Sequence, residues 1–122
     1  MSPSEIANQI VNSTDRTGPE GLSNREKLYF ICDVFDVAGI NLNDTFDYDA
    51  AIATQDCEII QCAMFLASFQ WEWATRCHLH GYATEQQQEE ALAYLTLAKG
   101  KMAWAMTYLM VGREPPPYPF VN

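Results

Sequence analysis

The sequence predicts an all-α fold: a small helical domain over 1–114, built on a long antiparallel helical hairpin with legs at about 49–80 and 85–111. The stretch 57–74 contains only five polar residues and neither Pro nor Gly, which favours a helix over a strand of that length. Capping boxes precede three segments of helical periodicity. Three consecutive prolines then begin an extended Pro-rich C-terminal tail over 115–122.

Two shorter N-terminal helices are expected to cover the hairpin. Residues 2–5, Ser-Pro-Ser-Glu, form a capping box with Pro at the first helical position, which predicts a helix to about Asn12. The polar stretch 13–21 contains Gly and Pro and indicates a loop. A second capping box begins at Ser23, and apolar residues continue at helical spacing until Gly39, which suits a left-handed helix end.

The first leg of the hairpin follows a predicted loop, 41–49, and its apolar arc is far wider than the stripe of a surface helix. One narrow polar row is expected to face water: Glu58, Gln61, Ser68, Glu72 and Thr75. Glu58 and Glu72 also leave too short an uncharged run for a membrane span. Trp71 and Trp73 lie about 200° apart on a helix, so one of them should be exposed or in an interface.

The second leg is predicted from a capping box at Thr84 to a stop at Gly112. A short turn around Gly81 joins the legs, which would place Met102 to Val111 beside Ile52 to Cys62. Gly100 lies inside this helix, where it costs about 1 kcal/mol relative to Ala, so it should mark close packing or a bend.

The net charge of −9 is concentrated in one part of the chain. Between Lys27 and Arg76 there are eight acidic residues and no basic one. Such a segment is repelled by phosphate backbones, which argues against direct binding of nucleic acid or of anionic membranes. The favoured partner is a protein with a basic surface.

The four cysteines, Cys32, Cys57, Cys62 and Cys77, lie within apolar helical segments, and none forms a C-x-x-C pair. They are interpreted as small core residues of a reducing compartment. No basic N-terminal region precedes an apolar run, so no signal peptide is expected and the predicted location is the cytoplasm.

Candidate chemistry is sparse. Cys77, His78 and His80 offer the ligand types that zinc uses, but neighbouring side chains on a helix point apart. No catalytic motif or Gly-rich phosphate loop accompanies a cysteine. The paired acidic sets of helical nucleotide hydrolases are absent, since Glu58 is followed three residues later by Gln61 and Glu72 by Thr75. We therefore expect no catalysis, no cofactor and no metal.

The first functional hypothesis is an acidic protein–protein interaction module with an aromatic anchor. Small, acidic and motif-poor chains are typical of phage or mobile-element accessory proteins that bind and inhibit a host defence or nucleic-acid-handling protein, here in the host cytoplasm. The candidate partner-binding residues are acidic or aromatic: Asp33, Asp36, Asp44, Asp47, Asp49, Glu58, Glu72, Trp71, Trp73, Tyr118 and Phe120.

Two other interpretations remain open. In the first, the chain is a structural subunit of a larger assembly, such as a virion or connector component, whose wide apolar faces pack between copies and whose tail reaches a neighbour. This interpretation includes homo-oligomerisation. In the second, the hairpin binds a small ligand or a metal near Cys77, His78 and His80.

Overall fold

The computed structural model describes residues 23–40 and 46–120, in which four helices follow one another. They are α1 (Asn24–Ala38), α2 (Tyr48–Ala53), α3 (Cys57–Leu79) and α4 (Glu85–Leu109). The predicted all-α fold and long hairpin are confirmed, with α3 and α4 as its legs. α1 packs on α3, and α2 packs on both legs. The helix predicted to end near Asn12 lies outside the described residues.

Local sequence signals explain where the helices begin and end. Ser23 Oγ accepts a hydrogen bond from the backbone N–H of Glu26 at 3.1 Å, and the Glu26 carboxylate accepts one from the Ser23 N–H. Thr84 forms the same reciprocal pair with its third helical residue. α1 ends at Gly39, whose φ of 74° lies in the left-handed region that glycine adopts readily. These three predicted boundaries are confirmed.

The first leg differs from its prediction, because two helices divide the stretch expected as one helix over 49–80. Gln55 takes a left-handed conformation with φ 54°. Asp56 then caps a new helix by accepting hydrogen bonds from the backbone N–H groups two and three residues ahead, at 2.9 and 3.3 Å. The Thr54 hydroxyl accepts from the Asp56 N–H and donates to the Ala51 carbonyl, which holds the turn.

This turn folds α2 back along the hairpin, in the same direction as α4. Neighbours appear in the same order along both helices: Tyr48 beside Tyr94, Asp49 paired with Lys101, and Ile52 in the same depression as Trp104. Ile52 thus lies beside Trp104, within the predicted stretch Met102 to Val111, but it does so as part of α2 and not as an extension of α3. Among the described residues, no helix has the length and apolar character needed to cross a membrane.

The core lies where α1, α2 and α4 meet α3, and Phe46 and Tyr48 enter it from the stretch predicted as a loop. Phe46 is 1% exposed, and its ring centroid lies 4.8 Å from that of Phe35. The Tyr48 hydroxyl donates a hydrogen bond to Oε1 of Gln70, which is itself buried on α3. Burial raises the pKa of Tyr48, with a smaller contribution from Tyr94. A buried polar pair thus joins α2 to α3.

The tail packs on α4 instead of projecting from it. Gly112, with φ 74°, follows the end of α4, and the chain then returns along the helix. The Trp104 Nε1–H donates to the Pro116 carbonyl at 2.9 Å, and the rings of Trp104, Tyr118 and Phe120 lie 5.4 to 6.3 Å apart. Tyr118 reaches Gly100, where a Cβ would lie 2.6 Å from the Tyr118 hydroxyl oxygen. Gly100 therefore marks close packing.

Gly100→Ala is expected to displace the tail, although Ala raises intrinsic helix stability by about 1 kcal/mol. In a Tyr118→Phe background the clashing oxygen is gone and the nearest ring carbon lies 3.3 Å away. In that background the tail should stay docked, and Gly100→Ala should then increase the free energy of unfolding through the higher helix propensity of Ala. Hydrogen exchange of the Trp104 indole N–H, followed by NMR, measures docking, and urea denaturation measures stability. Unchanged indole exchange in Gly100→Ala alone would contradict this packing.

Tyr48→Phe is expected to lower the free energy of unfolding by about 1–3 kcal/mol, because it leaves the buried Gln70 oxygen without its donor. Gln70→Met removes the acceptor at similar volume, so the double variant should be more stable than the sum of the two single losses indicates. Chemical denaturation of all four proteins gives the coupling energy. Strictly additive losses would show that the two side chains do not depend on each other.

Candidate protein-binding site

The described surface has an acidic groove between α1 and the N-terminal part of α3, which we call the α1–α3 groove. Its larger depression measures about 550 Å³. Eight residues line it: Phe30, Asp33, Val34, Val37, Ala38, Asp56, Glu58 and Ile59. A second depression of about 220 Å³ shares Phe30 and Glu58 with the first and continues to Lys27, Gln61 and Phe65.

α1 supplies one wall of the groove with a second apolar face. Phe30, Asp33 and Val37 follow one another at i, i+3 and i+7, so they share one side of the helix. Phe30 is 49% exposed and Val37 is 91% exposed. The opposite side of α1 carries Ile31 and Phe35 into the core. The helix therefore buries one apolar face and presents another to solvent.

α3 supplies the other wall at its first turn. Asp56 is the N-cap and Glu58 lies in the first turn, where the helix dipole favours negative charge. The turn at Gln55 places both carboxylates here, since without it Asp56 would lie inside a continuous helix. In the part of the chain that the structure describes, Asp33, Asp56 and Glu58 form no ion pair with Lys or Arg, and all three are exposed.

Burial, and to a smaller extent nearby carboxylates, raise the pKa values of the two thiols beside the groove, Cys62 and Cys32. Burial raises the pKa of Cys62 to about 11, and Glu58 and Asp56 contribute to the increase. The pKa of Cys32 is raised by burial, by Asp33 and by Asp36. Near the hairpin turn, away from the groove, burial alone raises the pKa of Cys77. These three thiols are therefore protonated at neutral pH and are weak nucleophiles there.

The structure brings together only part of the predicted acidic set. Asp33 and Glu58 line the groove, with Asp36 exposed nearby on α1. Three others lie elsewhere: Asp47 caps α2, Asp49 pairs with Lys101 at 3.5 Å, and Glu72 pairs with Arg76 at 3.1 Å. Asp44 lies outside the described residues. Asp56, absent from the predicted set, completes the carboxylates of the groove.

The predicted aromatic residues lie away from the groove. Trp71 is 42% exposed, while Trp73 packs partly buried against the core, so one of the two is exposed as expected. Trp71 follows Glu58 by thirteen residues, about 20 Å along the helix. Tyr118 and Phe120 belong to the ring cluster on Trp104. The roles of all four in partner binding stay predictions.

Phe30 is the exposed aromatic residue of the groove, and sequence reasoning missed it. The periodicity of α1 allowed either Phe30 or Ile31 to face the core, because adjacent apolar residues fit a wide arc equally well. The structure buries Ile31 completely and leaves Phe30 half exposed. A stricter seven-residue pattern through Phe30 and Val37 was the available signal.

The hairpin turn offers no assembled metal site. Across residues 23–40 and 46–120, no three His, Cys, Asp or Glu side chains are grouped so that they could hold a metal ion. Cys77 and His78 are partly buried, and His80 is the exposed C-cap of α3. Comparison of the chain with family models, with curated proteins and with solved structures gave no match. The chemistry of the groove is thus the basis for a functional proposal.

The Cys62 thiol should make stability fall with pH above its ordinary pKa of 9.0. The unfolded thiol ionises near pH 9.0 and the folded thiol near pH 11. Its contribution is complete below the lower value and is lost as pH rises toward the higher one. Urea denaturation from about pH 7 to about pH 9.5 should show a steeper decline for the wild type than for Cys62→Ala. Equal slopes in the two proteins would contradict this assignment.

Proposed function

We propose that this protein is a non-catalytic binding module that docks through the α1–α3 groove onto a basic surface of another protein. One observation carries the proposal: three exposed carboxylates without cationic partners in the described chain surround exposed apolar side chains in one depression. Carboxylates alone are ordinary on a solvated surface. Exposed Phe30 and Val37 between them are not needed for solubility and indicate a contact surface.

The two features have different physical effects in such a contact. The carboxylates of the groove and the net charge of −9 attract a basic surface over long range and raise the association rate. The apolar side chains supply affinity, since full burial of a Phe side chain is worth about 1.5–3 kcal/mol. Binding should therefore be weakened by salt and also depend on Phe30.

A protein surface that binds nucleic acid is a natural target, because it must be basic to neutralise phosphates. An acidic protein seated on that surface excludes the nucleic acid from it. We therefore extend the proposal to inhibition of a host nucleic-acid-handling or defence protein, the role of an accessory protein of a phage or mobile element.

A structural subunit of a larger assembly is the second candidate. Exposed apolar residues at the turn end of the hairpin favour it: Leu79 is 74% exposed and Tyr82 is 77% exposed. Copies of the chain could pair through this end, away from the carboxylates of the groove. Light scattering at low and moderate salt separates the candidates, since this one requires an oligomer that persists in salt.

The proposed function predicts that neutralising the groove abolishes capture of the partner. The triple variant Asp33→Asn, Asp56→Asn and Glu58→Gln removes three charges, and Asn at position 56 retains a good N-cap. The matched control removes three exposed charges from the first turns of α4, by Glu85→Gln, Glu89→Gln and Glu90→Gln. Each immobilised protein is exposed to lysate of the host cell, and the proteins released by a salt gradient are identified by mass spectrometry.

The wild type and the control variant should capture the same basic nucleic-acid-binding protein from lysate, and the triple variant should not capture it. An added oligonucleotide should compete with this capture. Capture by the triple variant equal to that by the wild type would remove the groove from the interaction. A captured protein that still binds its nucleic acid at saturation would remove the inhibitory role.

A further inference from the structure

We infer that the α1–α3 groove receives an amphipathic helix of the partner, with an apolar stripe between two rows of Lys or Arg. This inference rests on the proposed function and specifies the form of the ligand. The two depressions share Phe30 and Glu58, and their lining residues on α1 run from Lys27 to Ala38. From Lys27 to Ala38 there are eleven helical steps, which span about 16 Å, the length of three turns of a ligand helix.

The shape of the groove favours a helix over an extended peptide. Its walls are two packed helices, and its floor contains the partly buried Val34, Ile59 and Phe65. A third helix can rest its side-chain ridges against both walls, as in helical bundles and in helix-in-groove recognition. An added strand would instead need a row of unpaired backbone groups, which the helical walls do not offer.

The charge of the groove selects the ligand. The carboxylates of Asp33, Asp56 and Glu58 line the larger depression, so basic residues beside an apolar stripe would meet them there. Lys27 Nζ lies 5.3 Å from the centroid of the Phe65 ring in the smaller depression, so the basic residues of the ligand would face the larger depression and not the Lys27 end. A second copy of this chain, with a net charge of −9, is repelled from the same place. Residues 1–22 of the chain itself carry three acidic residues and one arginine, which is also an unfavourable match.

The test uses a defined probe, a labelled peptide of about eighteen residues made of Leu and Lys with an apolar stripe at helical spacing. A peptide of the same composition in scrambled order lacks the stripe. Fluorescence anisotropy with the full chain should show binding of the striped peptide at least about tenfold tighter than of the scrambled one. Circular dichroism should show that the striped peptide gains helix on binding.

Two single substitutions locate the site. Phe30→Ala should weaken binding of the striped peptide about tenfold or more, because Phe30 would be buried by the ligand. Tyr29→Ala is the matched control: Tyr29 is 58% exposed on the same helix and does not line the groove. It should leave the affinity unchanged.

The remaining outcomes overturn the inference in distinguishable ways. Equal binding of both peptides, with loss in the triple variant Asp33→Asn, Asp56→Asn and Glu58→Gln, would refute the helical ligand and leave charge-driven docking intact. If neither peptide binds but the protein still captures its partner specifically from lysate, the helical ligand is likewise refuted and charge-driven docking is left intact. No peptide binding together with marked destabilisation by Phe30→Ala would show that the chain's own N-terminal segment covers the groove. Failure of both peptide binding and lysate capture would remove the proposed function as well.

Discussion

The apolar circumference of α3 is the constraint on which the rest of the structure depends. Its buried residues point to several sides of the helix: Ile60, Cys62, Ala63, Leu66, Ala67, Phe69 and Gln70. No single neighbouring helix can cover so wide an arc, because a helix contacts its partner along one stripe. α4 therefore covers one side, α1 covers a second, and α2 packs against both legs. The row of α3 that faces solvent contains Glu58, Gln61 and Ser68.

The turn at Gln55 lets a short chain meet this requirement. A left-handed conformation costs a residue other than Gly about 1–2 kcal/mol. The N-cap at Asp56 recovers about 1 kcal/mol, and burial of Phe46 and Tyr48 adds about 1.5–3 kcal/mol for each large side chain. Burial of these two rings therefore outweighs the cost of the left-handed residue. The buried Gln70 fixes where Tyr48 docks, since each side chain satisfies the other.

The sequence allowed prediction of the features that local chemistry determines, namely the capping boxes, the glycine helix ends and the hairpin. It did not reveal the turn at Gln55, because no Gly or Pro marks that position and the apolar spacing continues across it. Phe46 and the docked tail were missed for a related reason: each contacts a helix from outside it, Phe46 at Phe35 and the tail at Trp104, and helical periodicity gives no signal for such a contact. Of the site, Asp33 and Glu58 were predicted from charge alone, whereas Phe30 required knowing which face of α1 the core occupies.

The two faces of α1 give the strongest reason to regard the groove as a site of contact. A helix that only covers α3 needs one apolar face, which Ile31 and Phe35 provide. The outward Phe30 and Val37 lie outside that core, and their exposed surface raises the tendency to associate. Carboxylates around them disfavour association with another acidic copy while leaving a basic surface attractive. Under the proposed function, this arrangement would therefore repel another copy of the chain and attract a partner of opposite charge.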